Sequence, residues 1–534
     1  MTQEASEQAV LADFDAGRLD YGGITARMSR EGASFVMTFS EPGGATRRVE
    51  VDRTVGSHRY QQYLARDGDI WFRLPVAWNV AEERFIHMNG AFLTPDPELD
   101  PARRAVARSD YDRHVTRWND NCIFCHNTAP NPGLDPEGHF ASTTAELGIS
   151  CEACHGPGEE HAAINKNPLR RYALHLSELA DPTVGNPARM PEPRASEVCG
   201  RCHGQRKASD IDRVLREGDR FVPGTELSAH STPLARDTTL NGQPGVFAAR
   251  FWADGTPRLT AYEYQGLLLS PCAERGALTC ASCHAMHDSE PSMQLRRDLD
   301  GGYAQCTQCH SELRGDEAIA GHTRHAPASA GSRCVSCHMP DIAYGLVAAR
   351  ISHRIESPEP ARNQADARPD ACTLCHVDRP RSWAIDAMQT WRSGAVAVEG
   401  GADELPEVTR MLLAGDPLER AIAAAALGRQ DSPDSSHAAR AERFGLLLDT
   451  LAHDRYPAVR DIARRSLSAL SGDHAPALAL IDRFDATELR LEVRAARAAE
   501  VAAALAPVPS TRLSPQQLAE LRSRARDRDI EIGE

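Results

Sequence analysis

The chain has 534 residues and a formal net charge of −15 at pH 7, and only 5% of its residues are aromatic. A chain of this length is long enough for two or three domains, and its acidic balance argues against nucleic acid as a partner. No run approaches the roughly 18 apolar residues that span a bilayer, so we expect no transmembrane segment.

The first part of the chain is typical of short strands joined by turns. Alternating or β-branched residues occupy positions 36–39, 48–51, 60–64 and 70–75. Pro42, Gly43 and Gly44, and further on Asp67 and Gly68, supply the residues that turns require. We therefore predict a small β-rich N-terminal lobe over residues 1–119.

The middle of the chain repeats the pattern C-x-x-C-H seven times. The motifs, numbered here in chain order, occupy residues 122–126, 151–155, 199–203, 280–284, 306–310, 334–338 and 372–376. In such a motif, two thiols three positions apart form thioethers with a porphyrin, and the adjacent imidazole binds its iron. The sequence therefore predicts a cytochrome domain over residues 120–380 with seven c-type haems.

The predicted haem-binding residues follow from the motifs. The attaching cysteines are Cys122, Cys125, Cys151, Cys154, Cys199, Cys202, Cys280, Cys283, Cys306, Cys309, Cys334, Cys337, Cys372 and Cys375. The proximal iron ligands are His126, His155, His203, His284, His310, His338 and His376.

Zinc binding is the main alternative for paired cysteines, because C-x-x-C is also half of many structural zinc sites. Histidine makes up 21 of the 534 residues, yet it follows the second cysteine in every motif. A zinc site does not require that position, and a disulfide scaffold does not repeat this motif. Cys272 is the one cysteine outside the motifs. We interpret it as a free buried thiol, with iron ligation or an intermolecular bridge as alternatives.

A haem that carries electrons favours a second strong ligand on the other face of its iron. More histidines than motifs remain upstream of Cys372, so the sequence forces no open face. Of His322 and His325, we expect one to bind iron and the other to be spare. The candidate distal ligands are His58, His114, His161, His230, His287, His325 and His353.

The last part of the chain changes character after Trp383. Cysteine is absent beyond the seventh motif, and a helical pattern rich in Ala and Leu begins. Pro417 and Pro457 lie 40 residues apart in similar contexts, as do Leu427 and Leu467. This period predicts a HEAT-like α-solenoid over residues 381–534, with an ordinary helical bundle as the alternative. The predicted fold is therefore mostly α and irregular, with the β-rich lobe at the N-terminus.

Several phrases of the sequence resemble one family. Residues 151–158 read Cys-Glu-Ala-Cys-His-Gly-Pro-Gly and are followed by His161, and residues 251–255 and 262–266 carry two further phrases. The chain resembles bacterial multihaem cytochromes of the cytochrome c-552/4 type, related to the tetrahaem partner of hydroxylamine oxidoreductase. It is similar to the branch whose haem domain precedes HEAT or tetratricopeptide repeats. Members of that branch usually open with a further C-x-x-C-H domain and often end in tetratricopeptide repeats, and this sequence departs from them in both respects.

The predicted function is that of an exported, periplasmic electron carrier more than a catalytic oxidoreductase. Its partners would be redox proteins, docked through the helical repeats. The alternative is a reductase acting on nitrite, hydroxylamine or tetrathionate, which requires an iron with an open face. A C-x-x-C-K motif, the mark of pentahaem nitrite reductases, is absent. Because residues 1–20 lack the pattern of a signal peptide, we expect the natural gene product to carry upstream residues.

Overall fold

The computed structural model describes residues 1–21, 23–41, 43–88, 116–177, 179–288, 293–299, 303–344, 348–365, 368–393, 404–528 and 530. Strands dominate up to residue 87, short helices and loops carry the seven motifs, and longer helices follow residue 380.

The N-terminal part contains two antiparallel sheets. One has four strands in chain order: β2 (Arg18–Tyr21), β3 (Ile24–Glu31), β4 (Ser34–Ser40) and β5 (Thr46–Val51). The other has the order β1 (Thr2–Glu4), β6 (Arg53–Val55), β7 (Tyr60–Asp67), β8 (Ile70–Asn79) and β9 (Arg84–His87). The four predicted strands fall within β4, β5, β7 and β8, so the β-rich N-terminal part is confirmed.

The two sheets share one hydrophobic core. Met37 of β4 and Tyr63 of β7 are fully buried in it, and Phe14 joins the two sides. The Phe14 ring meets Phe35 edge-on at 5.2 Å between ring centres and Tyr63 at 5.4 Å. In β3 alternate residues, Ala26 and Met28, turn inward as the pleat requires, whereas β4 buries consecutive residues around Met37.

The middle region consists of short helices between loops. Its α-helices are Ile123–His126, Cys151–His155, Glu159–Ile164, Pro168–Ser177, Arg194–Gly200, Ile211–Glu217, Glu263–Leu268, Pro271–Gly276, Ala304–Thr307, Asp316–Thr323, Cys334–His338 and Pro360–Ala365. Three two-stranded ribbons pair Asn127–Thr128 with Glu146–Leu147, Arg206–Ala208 with Ser231–Pro233, and Asp341–Tyr344 with Ala348–Ile351. Motifs that lie on a single helical turn present both thiols on one side, because positions three apart share a helix face.

The C-terminal helices are Arg381–Ser393, Glu407–Ala414, Pro417–Leu427, His437–His453, Pro457–Ser471, Ala475–Asp482, Leu491–Ala504 and Pro515–Ser523. Two of them begin at Pro417 and Pro457, the prolines of the predicted repeat. These helices pack side by side, and the Ser466 hydroxyl donates a 2.8 Å hydrogen bond to the Ala424 carbonyl. A helical C-terminal part is confirmed. No helix of the described ranges is long and apolar enough to cross a membrane.

The helical part packs against both other regions. Its core is continuous with Tyr60 and Ala77 of the sheets and with Leu259 and Leu374 of the middle region. Ion pairs cross the same boundaries: Arg258 reaches Asp416 at 2.6 Å, and Arg464 reaches Glu82 at 2.8 Å. The division into residues 1–119, 120–380 and 381–534 stays a prediction, because packing is continuous across its boundaries.

Candidate haem sites

Six of the seven motifs line one large cavity. Its volume is about 2690 Å³, and both cysteines and the histidine of each of these motifs face it. Pockets for one ligand usually measure about 300–1,000 Å³, so this cavity has room for several macrocycles. The second motif is absent from its lining, and Cys151 of that motif is exposed.

Four motif histidines each face a second imidazole at nearly the same distance. The distance between ring centres is 6.1 Å for His338 and His322. It is 6.2 Å for each of the other three pairs, which are His155 with His287, His284 with His353, and His376 with His325. A metal between two imidazoles would lie about 2 Å from each ligating nitrogen, and each ring centre lies about 1 Å beyond its nitrogen. The expected distance between the two ring centres is therefore about 6 Å. These pairs therefore fit an iron held between two histidines.

The facing rings include three of the distal candidates, His287, His325 and His353. His322 completes the set, whereas the sequence led us to expect that only one of His322 and His325 faces a site. The helix Asp316–Thr323 ends between them, and Arg324 has a φ of +56°. The chain turns there, so the two histidines face the sixth and seventh motifs.

The remaining candidates are placed differently. His58 and His230 line the cavity, and the His230 ring lies edge-on to Phe221 at 5.9 Å. His161 places Nδ1 3.3 Å from the Asp181 carboxylate. In the part of the chain that the structure describes, none of the three forms a close ring pair with a motif histidine. His114 lies outside that part, so the first, third and fifth motifs have no described partner ring.

Several motif histidines have an acceptor behind the ring. His155 Nδ1 lies 2.6 Å from the Gly185 carbonyl, and His284 Nδ1 lies 3.2 Å from the Met293 carbonyl. His338 Nδ1 lies 2.8 Å from the Glu356 carbonyl, and His310 Nδ1 lies 3.4 Å from the Glu312 carboxylate. An Nδ1–H that donates to such an acceptor leaves Nε2 for the metal and fixes the ring orientation.

Burial favours the neutral imidazoles that bind metal. It lowers the pKa of His126 to about 4, and it also lowers the pKa values of His284, His338, His353 and His376. A ligating histidine must be neutral, so these sites are prepared for iron without the loss of a proton near pH 7.

Thiol contacts link the motifs to one another. Three pairs of thiols lie close enough for one to raise the pKa of the other: Cys202 raises that of Cys125, Cys280 that of Cys199, and Cys334 that of Cys306. These contacts join the first motif to the third, the third to the fourth, and the fifth to the sixth.

Weaker electrostatic interactions, without a hydrogen bond, relate the remaining neighbours. Cys154 interacts with Cys202, Cys283 with Cys309, and Cys337 with Cys375. Every motif therefore has a neighbouring motif. Cys272 also lines the cavity and interacts with Cys283 and Cys306.

The zinc alternative requires three or more ligating side chains that converge on one point. The described stretches of the chain contain no such group of His, Cys, Asp and Glu. The facing pairs of histidines, six ångströms apart and beside paired thiols, suit a haem instead.

Comparison with known proteins supports the haem assignment. The family model "Doubled CXXCH motif" matches residues 270–315, and the model "Cytochrome c554 and c-prime" matches residues 97–156. Multiheme cytochrome MtrA of Shewanella baltica (strain OS185) is 26% identical over 248 residues, which are 44% of this chain and 64% of that protein. The chain thus matches less than two thirds of that relative's length.

Among solved structures, the crystal structure of the outer cell wall cytochrome OcwA is similar, with a TM-score of 0.43 and 16% identity. The similarity covers 85% of this chain and 88% of that one. From the motifs, their facing imidazoles and the family matches, the chain is a multihaem c-type cytochrome.

Proposed function

We propose that this protein is an exported cytochrome that transfers single electrons along seven covalently bound haems between redox partner proteins. The observation that carries the proposal is the proximity of each motif to another motif, combined with the facing histidines. When bound, haem supplies one-electron exchange at its iron. The polypeptide supplies attachment, spacing and exclusion of water.

Different residues of the chain provide attachment, iron ligation and ring orientation. The paired cysteines would attach each macrocycle, and the four pairs of facing histidines would hold four of the irons. The acceptors behind His155, His284 and His338 hold those rings in place. A site closed in this way changes little in structure on reduction, which suits a carrier.

The contacts between motifs support one route. The first and second motifs both neighbour the third, where the route from each of them meets. From the third motif the route follows chain order through the fourth, fifth and sixth motifs to the seventh. We propose that His58, His114 and His230 supply distal ligands where no partner ring is described, and His161 stays a further candidate.

The proposed organisation keeps the three regions at residues 1–119, 120–380 and 381–534. In it the C-terminal helices form a HEAT-like solenoid that contributes to partner docking. The helices that begin at Pro417 and Pro457 support this arrangement, because their starts lie 40 residues apart and the Ser466–Ala424 hydrogen bond joins them.

A second candidate function is reduction of a nitrogen or sulfur compound such as nitrite, hydroxylamine or tetrathionate. One observation favours it. His310 of the fifth motif has the Glu312 carboxylate behind its ring, and no described imidazole faces it. An iron with an open face at this motif would bind a small substrate.

The two functions differ in a reductive titration combined with carbon monoxide binding. A carrier takes up seven electrons per chain, has low-spin spectra and binds little carbon monoxide. Binding of one or more carbon monoxide molecules per chain, together with turnover of nitrite or hydroxylamine, would replace the carrier with the reductase.

A further inference from the structure

The helix Pro168–Ser177 exposes an apolar stripe to solvent. Leu169 is 76% exposed, Tyr172 62% and Leu176 65%, and Leu179 beyond the helix is 69% exposed. At about 100° per residue the first three lie on one side of the helix. No residue of this helix is buried. We call Leu169, Tyr172, Leu176 and Leu179 the apolar stripe.

The other sides of the helix are basic. Arg170 and Leu174 turn toward the protein and are half-buried, whereas Arg171 and His175 flank the stripe and are exposed. The sequence contains no Asp or Glu from residue 161 to residue 177, although Glu159 and Glu160 precede this stretch and Glu178 follows it. In a chain of net charge −15, this helix is a local basic surface.

The stripe lies close to the second motif. Arg170 pairs with Asp181 at 3.1 Å, and four residues later the Gly185 carbonyl accepts from His155 Nδ1 at 2.6 Å. The second motif lies outside the cavity that the other six share, and both Cys151 and the facing His287 are exposed. The exposed helix therefore stands beside a motif that lies outside the shared cavity and is itself exposed at Cys151.

We propose that the apolar stripe and its basic flank are the docking surface for an acidic redox protein, which exchanges electrons at the second motif. The inference rests on the proposed electron-transfer function and specifies where that function meets a partner. Exposed apolar patches with polar rims mark interaction sites. Opposite charge accelerates encounter, and for this flank the opposite charge is acidic.

Variants of the stripe test the proposal in the haem-loaded full chain. Leu169→Gln/Tyr172→Gln/Leu176→Gln removes the three helical side chains of the stripe, and Leu491→Gln/Val508→Gln is the control on exposed apolar side chains of the C-terminal region. Stopped-flow absorbance follows oxidation of the reduced proteins by three oxidants. These are the acidic haem domain of cytochrome b5, a basic mitochondrial cytochrome c, and a neutral benzoquinone.

Removal of the stripe should slow the reaction with the b5 domain by roughly tenfold. The reactions with benzoquinone and the basic cytochrome should stay unchanged, and the control variant should match the parent in all three. Lys166 is exposed two residues before the helix and adds to its basic flank. Lys166→Glu should slow the reaction with the b5 domain several-fold at low salt and by less at high salt, because screening weakens steering.

Equal rates for parent and stripe variant with the b5 domain would overturn the docking surface. So would slowing with benzoquinone, since that indicates damage to electron transfer itself. If the b5 rates are equal but the stripe variant sediments differently from the parent, the stripe is an interface with a second copy of this chain. If the b5 rates are equal but binding to phosphatidylserine vesicles changes, the stripe is a membrane-binding surface. If the parent fails to exchange electrons with any oxidant, the proposed function itself fails.

Discussion

At the residue scale, the evidence for iron ligation is the set of histidines that face one another. Their ring centres are 6.1–6.2 Å apart in all four pairs, although the angles between ring planes range from 7° to 47°. A constant distance with variable orientation would fit an iron shared by the two rings, because fixed bond lengths set the distance between ring centres without setting the angle between ring planes.

Replacement of one facing histidine should open one iron. We expect His353→Ala to convert the fourth motif from low spin to high spin and to allow binding of one carbon monoxide per chain after reduction. Carbon monoxide difference spectra measure this directly. His139→Ala is the control, because that side chain is 74% exposed and lies near Asp69. A His353→Ala spectrum identical to the parent's would contradict the pairing.

The sequence predicts the motif histidines better than the facing ones, for a physical reason. A motif histidine is adjacent to its own cysteine, so local spacing reveals it. A facing histidine comes from a distant part of the chain, as His353 does for the fourth motif. The role of His322 depends on where its helix ends, and the sequence around Arg324 does not indicate that end.

At the element scale, a buried ion pair joins the middle region to the C-terminal helices. Arg258 and Asp416 are each about 2% exposed, and Asp416 also caps the helix Pro417–Leu427 through the Leu418 and Glu419 amides. Burial opposes ionisation of Asp416, but Arg258 and Arg528 outweigh it and lower its pKa to about 2.

Asp416→Asn should destabilise the fold by about 3–5 kcal/mol, because it leaves the buried Arg258 charge uncompensated. Asparagine caps helices as well as aspartate does, so the loss isolates the ion pair. Urea unfolding measures it. Asp20→Asn, in the exposed pair with Arg18, should cost less than about 1 kcal/mol.

The difference in unfolding free energy between the parent and Asp416→Asn should depend on pH in a definite direction. Since the pKa of Asp416 falls from 3.8 in the unfolded chain to about 2 in the folded one, its contribution is fully present above pH 3.8. That contribution is lost as the pH falls through about 2. The stability gap between parent and Asp416→Asn should therefore narrow as pH falls from 4 to 2, and a constant gap would assign the loss to something other than the charge.

Truncation tests whether the C-terminal helices are independent of the haem region. A chain that ends at residue 395 loses the apolar partners of Leu259 and Leu374 and leaves Arg258 without Asp416. Because of this shared core, we expect it to lose thermal stability and part of its haem absorbance. An unchanged Soret spectrum and melting temperature would show instead that residues 381–534 are a separate docking unit.

The elements differ in how far the sequence predicts them. Strands β4 and β8 are mostly buried runs rich in β-branched and aromatic residues, and the helices at Pro417 and Pro457 begin with proline in the first turn, so pattern alone finds them. The middle region has short helices without a continuous apolar face. Its backbone follows from attachment and ligation, which no periodicity records.

At the scale of the whole molecule, haem replaces much of the missing aromatic core. Only 5% of the residues are aromatic, and the middle of the chain encloses a cavity of about 2690 Å³ lined by six motifs. Filling that space with covalently bound macrocycles would make the interior continuous. The number of haems attached is therefore the quantity on which fold and function both depend.

The intact mass of the protein, matured in an exporting host with haem-attachment machinery, tests this most directly. The mass should exceed that of the polypeptide by seven haems, Cys283→Ala should retain six firmly bound, and Cys272→Ala, outside the motifs, should retain seven. A parent protein that carries fewer than seven haems, or zinc in place of iron, would contradict the account.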